Sequence, residues 1–470
     1  MKTFLQPLQN LAEMEEIQKR AKKNHGILEI SGCIESQKAH LMYGLSGLFP
    51  CHLIIAADEK SAKELYEDYR FYDKKVYYYP AKDFLFFQAD IHGNLLIRQR
   101  MQVIRALLER EDEITVVTSI DGCMDYLTPL EKIEKQLIHF RNDSSLDMDK
   151  LTAALVHMGY ERVGQVEMPG QFSIRGGIID IYSLTEENPW RIELWGDEID
   201  SIRSFDAQSQ RSLENLDDIT IYPAAEQPME KNGVSFLDYF EDQESILFLD
   251  ELNHLEENAK SVAEEFQQSC RNREEKGEAN LSSKWMCTWE ELCHKLNNRN
   301  CAAMSLLDPR KSGWKITDQF NITVKSMNSY QSSFELLVKD LKQYKKDGYQ
   351  IVLLSGSRTR AERLAKDLQE EGLSAFYGQD SDRILQPGEI MVAYGHARKG
   401  FEYPLVKFAV ITETDIFGKE QKKRKKKKEY NGKRIQDFAE LSIGDYVVHE
   451  KHGLGIYKGI EKVAVDKVVK

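Results

Sequence analysis

The chain has 470 residues, 41% hydrophobic and 30% charged. That composition supplies several apolar cores at about 150 residues each and excludes global disorder. The net charge of −13 is uneven: Lys419–Lys428 holds eight basic residues and one acid, or +7, leaving −20 elsewhere, which excludes a surface broadly coated for nucleic acid.

The first 150 residues alternate strand-like runs (Ile27–Ser31, His52–Ala57, Lys75–Tyr79, Ile114–Thr118) with helical patterns such as SAKELYEDYRFY and LIRQRMQVIRALLER. In the second pattern Ile97, Met101, Ile104 and Leu108 follow a 3.6-residue period. Alternation of this kind predicts an α/β unit with a mostly parallel sheet. Residues 151–222 change character, with a short helix over 151–160 and then strand spacing and turn residues, so a small α+β insert is predicted there. Residues 223–345 contain one hydrophobic strand ending in acids, ESILFLDE, and a long polar helix over about 254–275; they are expected to rejoin the first sheet. A second α/β unit is placed at 346–418, with strand Ile351–Leu354, helix Thr359–Glu371 closed by Gly372, and strands Glu389–Ala393 and Leu405–Thr412. Residues 419–435 read as a basic linker and 436–470 as the opening of a β-barrel.

No run of about 18 apolar residues exists, and glutamines, Asn10 and glutamates break up the first twenty residues before any signal-peptide core can form. A soluble cytoplasmic protein with no membrane contact is expected. The seven cysteines (33, 51, 123, 270, 287, 293, 301) form no CxxC pair, so neither a zinc knuckle nor a disulfide framework is expected.

Strand Ile27–Ser31 runs into Gly32-Cys33-Ile34-Glu35-Ser36-Gln37-Lys38-Ala39 and then a helix. The position fits a GxxxxGK[ST] phosphate loop. Gly32 and Lys38 are in place, but Gln37 stands where a glycine would let the backbone curl around phosphate, and Ala39 lacks the hydroxyl that holds magnesium. Glu35 adds negative charge. Asp250 and Glu251, at the tip of the acid-ended strand, supply the chemistry of a metal-and-water box. The combination reads as a degenerate nucleotide pocket with no catalytic residue and no metal; the alternatives are an ATPase using Lys38 with Asp250 and Glu251, and a plain structural turn with no such ancestry.

Period-two alternation sorts the insert's strands. Ile192 and Leu194 point inward, leaving Arg191, Glu193 and Trp195 on the other face; Phe172 and Ile174 point inward, leaving Gln171 and Arg175 outward. Strands paired in register would present two arginines and a tryptophan, residue types enriched at interface hot spots, or else a solvated face on which Trp195 covers a neighbouring helix; periodicity alone does not choose. The candidate protein-binding residues are Arg175, Arg191 and Trp195, with Phe172 beside them.

Three stretches carry a resemblance: Pro169–Ile181 (PGQFSIRGGIIDI), Arg191–Arg203 (RIELWGDEIDSIR) continuing to Phe205-Asp206 and Gln210-Arg211-Ser212, and Ile443–Tyr457 (IGDYVVHEKHGLGIY). Together they resemble the amino-terminal part of bacterial transcription-repair coupling factors, the Mfd family, collinearly over essentially the whole chain. The resemblance implies a UvrB-like module: a split RecA-like domain with an inactive nucleotide pocket, and an insert that recruits UvrA through positions matching Arg175, Arg191 and Trp195. The matching aromatic can be Phe in the family. Residues 119–150 offer only Tyr126 and Phe140 and no aromatic hairpin, so damage verification is not expected. It further implies a structural α/β domain, then the start of a domain that pairs with the RNA polymerase β subunit by strand addition. The family's translocase motor, which takes ATP and magnesium, has no counterpart motifs here. The chain thus reads as a truncated product: a binding module without cofactors of its own, with DNA contact possible only through Lys419–Lys428.

Overall fold

The computed structural model describes residues 1–418, apart from 24, 83–93, 227–232, 241–243, 276–285, 310–312 and 379–381, together with four short strands beyond residue 445. The basic run 419–428 and the linker to 435 lie outside the described residues, as does most of 436–470. Within that last stretch Tyr446–His449 pairs antiparallel with Gly453–Ile456, and Ala464–Val465 with Val468–Val469.

The first unit is built on a seven-stranded sheet. Its order is Ile316–Asn321, Gly26–Ser31, Asn300–Ser305, Ser245–Asp250, Cys51–Ala56, Ile114–Ser119, Val76–Tyr79, and every pairing is parallel. Strands buried on both faces need apolar residues at successive positions, as in Cys51–Ala56 (CHLIIA) and Ser245–Asp250 (SILFLD). Leu28, Ile30, Ile54 and Phe248 face one core. Ile27, Leu53, Ile55, Leu247 and Leu249 face the other. Helices Glu35–Ser46 and Glu59–Tyr69 cover the first face, and Asn94–Leu108, Leu252–Glu275 and Trp289–Asn297 the second. The α/β class expected from the sequence is the class observed, and residues past 223 do rejoin the first sheet.

The insert begins before residue 151. Strand Ile138–Arg141 pairs antiparallel with Asp218–Ile221, burying Phe140 against Ile219 and Ile221 in the insert's own core, so the unit opens near 138. Its main sheet has the order Ser212–Leu216, Glu198–Phe205, Trp190–Trp195, Ile178–Ile181, Gln171–Arg175, Glu161–Arg162, with helix Met148–His157 on the inner face. A buried ion network fixes the insert's exit. Arg100 donates to the Pro80 carbonyl (2.8 Å) and Asp125 (3.0 Å), pairs with Glu226, and lies 4.2 Å over the Tyr79 ring.

The second α/β unit also begins earlier than expected. Its sheet order is Lys325–Ser326, Phe401–Tyr403, Phe408–Thr412, Gln350–Ser355, Ile390–Tyr394, Ala375–Tyr377. Helix Phe334–Asp347 buries Leu337, Val338 and Leu341 in this unit's core, which moves the start from 346 to about 325. The expected strand over 405–412 is found as Phe408–Thr412, and a turn joins it to a further strand before it, Phe401–Tyr403. One face of the sheet (Ile351, Leu353, Val392, Ile411) carries the unit's own core. The other (Val352, Leu354, Phe401, Tyr403, Phe408, Val410) shares a core with the first unit's helices.

Candidate functional site

The Gly32–Ala39 segment makes a tight turn into helix Glu35–Ser46, and its side chains are engaged by the protein itself. Gly32 adopts φ +81°, and a Cβ there would lie 2.1 Å from the Ile322 carbonyl oxygen, so the tight turn still requires glycine. Gln37 bridges the loop to the shared core: its Oε1 accepts the Ile34 N–H (3.1 Å) and its Nε2 donates to the Tyr403 hydroxyl (2.9 Å). Ala39 is buried among apolar side chains.

Lys38 is the centre of a closed triad. Its ammonium donates to Asp250 Oδ1 and Glu251 Oε1, both at 2.6 Å. Burial works against the charge, but the two carboxylates outweigh it and hold the lysine pKa above its ordinary value. Glu251 reaches this position from a left-handed backbone (φ +57°), rare for a non-glycine residue, and its Oε1 also accepts the Leu306 N–H at 2.9 Å. The three residues paired in the sequence reading do meet, as partners of one another.

The second α/β unit closes the mouth. Lys399 donates from its ammonium to Glu35 (2.9 Å) and from its backbone N–H to Ser36 Oγ (3.1 Å). Arg398 grips Asp68 with its backbone N–H (2.9 Å) and Nε (2.8 Å) and pairs with Glu64. A cavity of about 500 Å³ remains between Lys38, Asp250, Glu251, His254, Arg398 and Lys399. It has the size of a ligand pocket, but Lys38, Lys399 and Arg398 are already neutralised by internal acids. Among the described residues no group of three or more His, Cys, Asp or Glu could hold a metal ion.

On the insert, two hairpins end side by side. Gly176-Gly177 joins Arg175 to Ile178, and Gly196-Asp197 joins Trp195 to Glu198; Gly176 and Gly196 take φ +61° and +65°. The Leu194 N–H donates to the Gly177 carbonyl at 2.8 Å, tying the tips together. Trp195 therefore stands at a tip, 83% exposed. The Arg175 side chain, at the other tip, is 46% exposed. Phe172 is corrected: it is fully buried on the inner face among Ile179, Ile181 and Ile192, so no partner can touch it.

Arg191 is less free than alternation implies, its side chain being 13% exposed. The register places Asp180 directly opposite it, and Asp180 is 0% exposed. Arg191 donates to Asp180 from Nε (2.7 Å) and a terminal nitrogen (2.9 Å), and to Gln210 Oε1 (2.9 Å). Its guanidinium lies 4.3 Å over the Phe205 ring, and Arg175 donates to the same Asp180 at 2.6 Å. The sequence reading missed Asp180 and Gln210. The signal for Asp180 was present, since period two after the Gly-Gly turn puts residue 180 on the face of Arg175.

The family described as the UvrB interaction domain matches residues 138–226, and the CarD-like/TRCF RID domain matches 441–470. The transcription-repair-coupling factor of Bacillus subtilis is 30% identical over 94% of this chain and 44% of its own length. Those of Staphylococcus haemolyticus and Staphylococcus aureus are 27% and 26% identical, each over 84% of this chain and 38% of the relative. The resemblance to transcription-repair coupling factors thus extends over nearly all of this chain, which spans less than half the length of these curated relatives. A solved DEAD box protein from Methanococcus jannaschii aligns at 10% identity with a TM-score of 0.28, covering 84% of this chain and 78% of that one; so weak a likeness carries no argument.

Proposed function

We propose, from that resemblance as premise, that this chain is the repair-recruiting module of a transcription-repair coupling factor, and that it docks UvrA through the insert's outer face. The observation that carries the proposal is the pair of adjoining hairpin tips, with Arg175 half exposed and Trp195 standing in solvent. An indole left out of water-excluding contact on a rigid tip is an anchor awaiting a pocket, and arginine beside it is suited to a carboxylate. Residues 441–470 would begin the contact with RNA polymerase, adding a strand to its β subunit. Lys419–Lys428 remains the candidate for any DNA contact. No described helix is long and apolar enough to cross a membrane, which fits a cytoplasmic site of action.

On this reading the chain burns no nucleotide and needs no cofactor. The support is the commitment of Lys38 to Asp250 and Glu251, and of Gln37 to Tyr403. ATP hydrolysis by the Lys38 pocket is the competing reading. Fluorescent-nucleotide titration separates them: magnesium-dependent micromolar binding that vanishes in Lys38→Ala favours the enzyme.

Docking is tested by measuring UvrA affinity for Arg175→Ala and Trp195→Ala. Each should lose about 2 kcal/mol, or about thirtyfold, as hot-spot truncations do. Unchanged affinity in both variants would refute the docking face.

A further inference from the structure

Resting on the docking reading above, the inference concerns how the face is held ready. Its outer surface carries Arg175, Asp180, Arg191, Glu193 and Arg203 on neighbouring strands. Glu193 is occupied by Arg203. Two guanidinium groups would repel and swing apart if nothing lay between them. What lies between them is Asp180, wholly enclosed, accepting one hydrogen bond from Arg175 and two from Arg191 at 2.6, 2.7 and 2.9 Å. Arg191 is further fixed by the Phe205 ring beneath it and by Gln210, itself held to the Ala207 carbonyl at 2.8 Å. Arg175 gives Asp180 one terminal nitrogen and leaves the rest of its fork turned outward.

We propose that Asp180 is the positioning residue of the docking face: out of any partner's reach, it fixes the guanidinium of Arg175 in one orientation, with Arg191 as its strut. The partner surface that fits is an acidic side chain placed to meet Arg175, beside an apolar recess for Trp195. Because the fork is ordered before binding, the partner is spared the cost of freezing a long side chain.

The experiment measures the affinity of the whole chain for UvrA with Asp180→Asn, made alone and in an Arg175→Ala background. Positioning predicts about tenfold weaker binding for Asp180→Asn alone, shrinking to less than about threefold once Arg175 is gone, because the two changes then act on the same contact. An equal loss in both backgrounds would make Asp180 a plain structural residue and overturn the proposal, as would no loss at all. Arg175→Lys serves if Asp180→Asn fails to fold, since residue 175 lies at an exposed tip. A preset planar fork predicts that lysine binds as weakly as alanine, and lysine binding at the parental level would overturn the proposal. If Arg175→Ala and Trp195→Ala both bind normally, the docking reading itself has failed; if they weaken binding and Asp180→Asn does not, only the positioning role has.

Discussion

Replacing Lys38 by alanine should unfold the first unit more easily and leave nucleotide chemistry untouched, the reverse of what the same change does in a working phosphate loop. Lys38 is buried between Asp250 and Glu251, with both contacts at 2.6 Å. Removing one member of a buried ion pair costs about 3–5 kcal/mol, most of it the stranded partner's desolvation. Glu251 is the more exposed of the two acids and keeps the Leu306 N–H, so Asp250 bears most of the loss and the lower end, about 3 kcal/mol, is expected. At roughly 2–4 °C per kcal/mol for a unit of this size, the melting temperature should fall by about 6–12 °C. Lys38→Met, which nearly preserves volume, should lose a similar amount, because charge rather than packing is at stake. Lys38→Met combined with Asp250→Asn should recover part of it, the two sites sharing one interaction. Differential scanning calorimetry at pH 7 reads all three. Lys38→Ala melting within about 1 °C of the parent would refute the idea that the lysine serves as an internal counter-ion.

Further perturbations concern two other buried carboxylates and the turn at Gly32. Burial pushes Glu29 up to about 7 against an ordinary 4.5, both its carboxylate oxygens being buried without a hydrogen-bond partner, so the folded state holds this proton more tightly than the unfolded one. Glu29's contribution to stability should therefore be fullest below about pH 4.5 and fall by about 3 kcal/mol as pH rises to 7; urea titrations of Glu29→Gln should lack that part of the pH dependence. Burial alone would raise Glu226, but Arg100 and Lys82 outweigh it and bring it down to about 2. Its contribution, about 3 kcal/mol, should be present at neutral pH and disappear as pH drops from 4.5 towards 2, so thermal melts of Glu226→Gln and the parent should converge in acid. Gly32→Ala should cost more than about 2 kcal/mol by denaturant titration, since it combines φ +81° with a collision against Ile322. Gly164→Ala, with nothing within 4 Å of the added carbon, should be near neutral.

Local pattern carried the strands and the facing of the insert. Uninterrupted apolar runs marked the parallel strands, and period two sent Phe172 and Ile192 inward and Trp195 outward, as found. Motif spacing also brought Lys38 to Asp250 and Glu251 across more than two hundred residues. What stayed hidden depended on register between distant segments. Ile138–Arg141 reads as a short isolated run until Asp218–Ile221 lies beside it, so the insert's opening was set too late. Helix Phe334–Asp347 carries an apolar stripe (Leu337, Val338, Leu341) that by itself names no partner sheet, and only the fold assigns it to the second α/β unit. The enclosure of Arg191 follows from Asp180 and Phe205, which only the folded sheet brings against it. A period tells which way a side chain points; it does not tell what is waiting there.

The core shared by the two α/β units has a mechanical consequence. A cleft between two units can work only if they are able to swing apart. Here such a swing would peel Phe401, Tyr403, Phe408 and Val410 off the first unit's helices and break the grip of Arg398 on Asp68. The two units are thus joined by apolar packing and ion pairs, and drawing them apart would bare greasy surface on both sides to water.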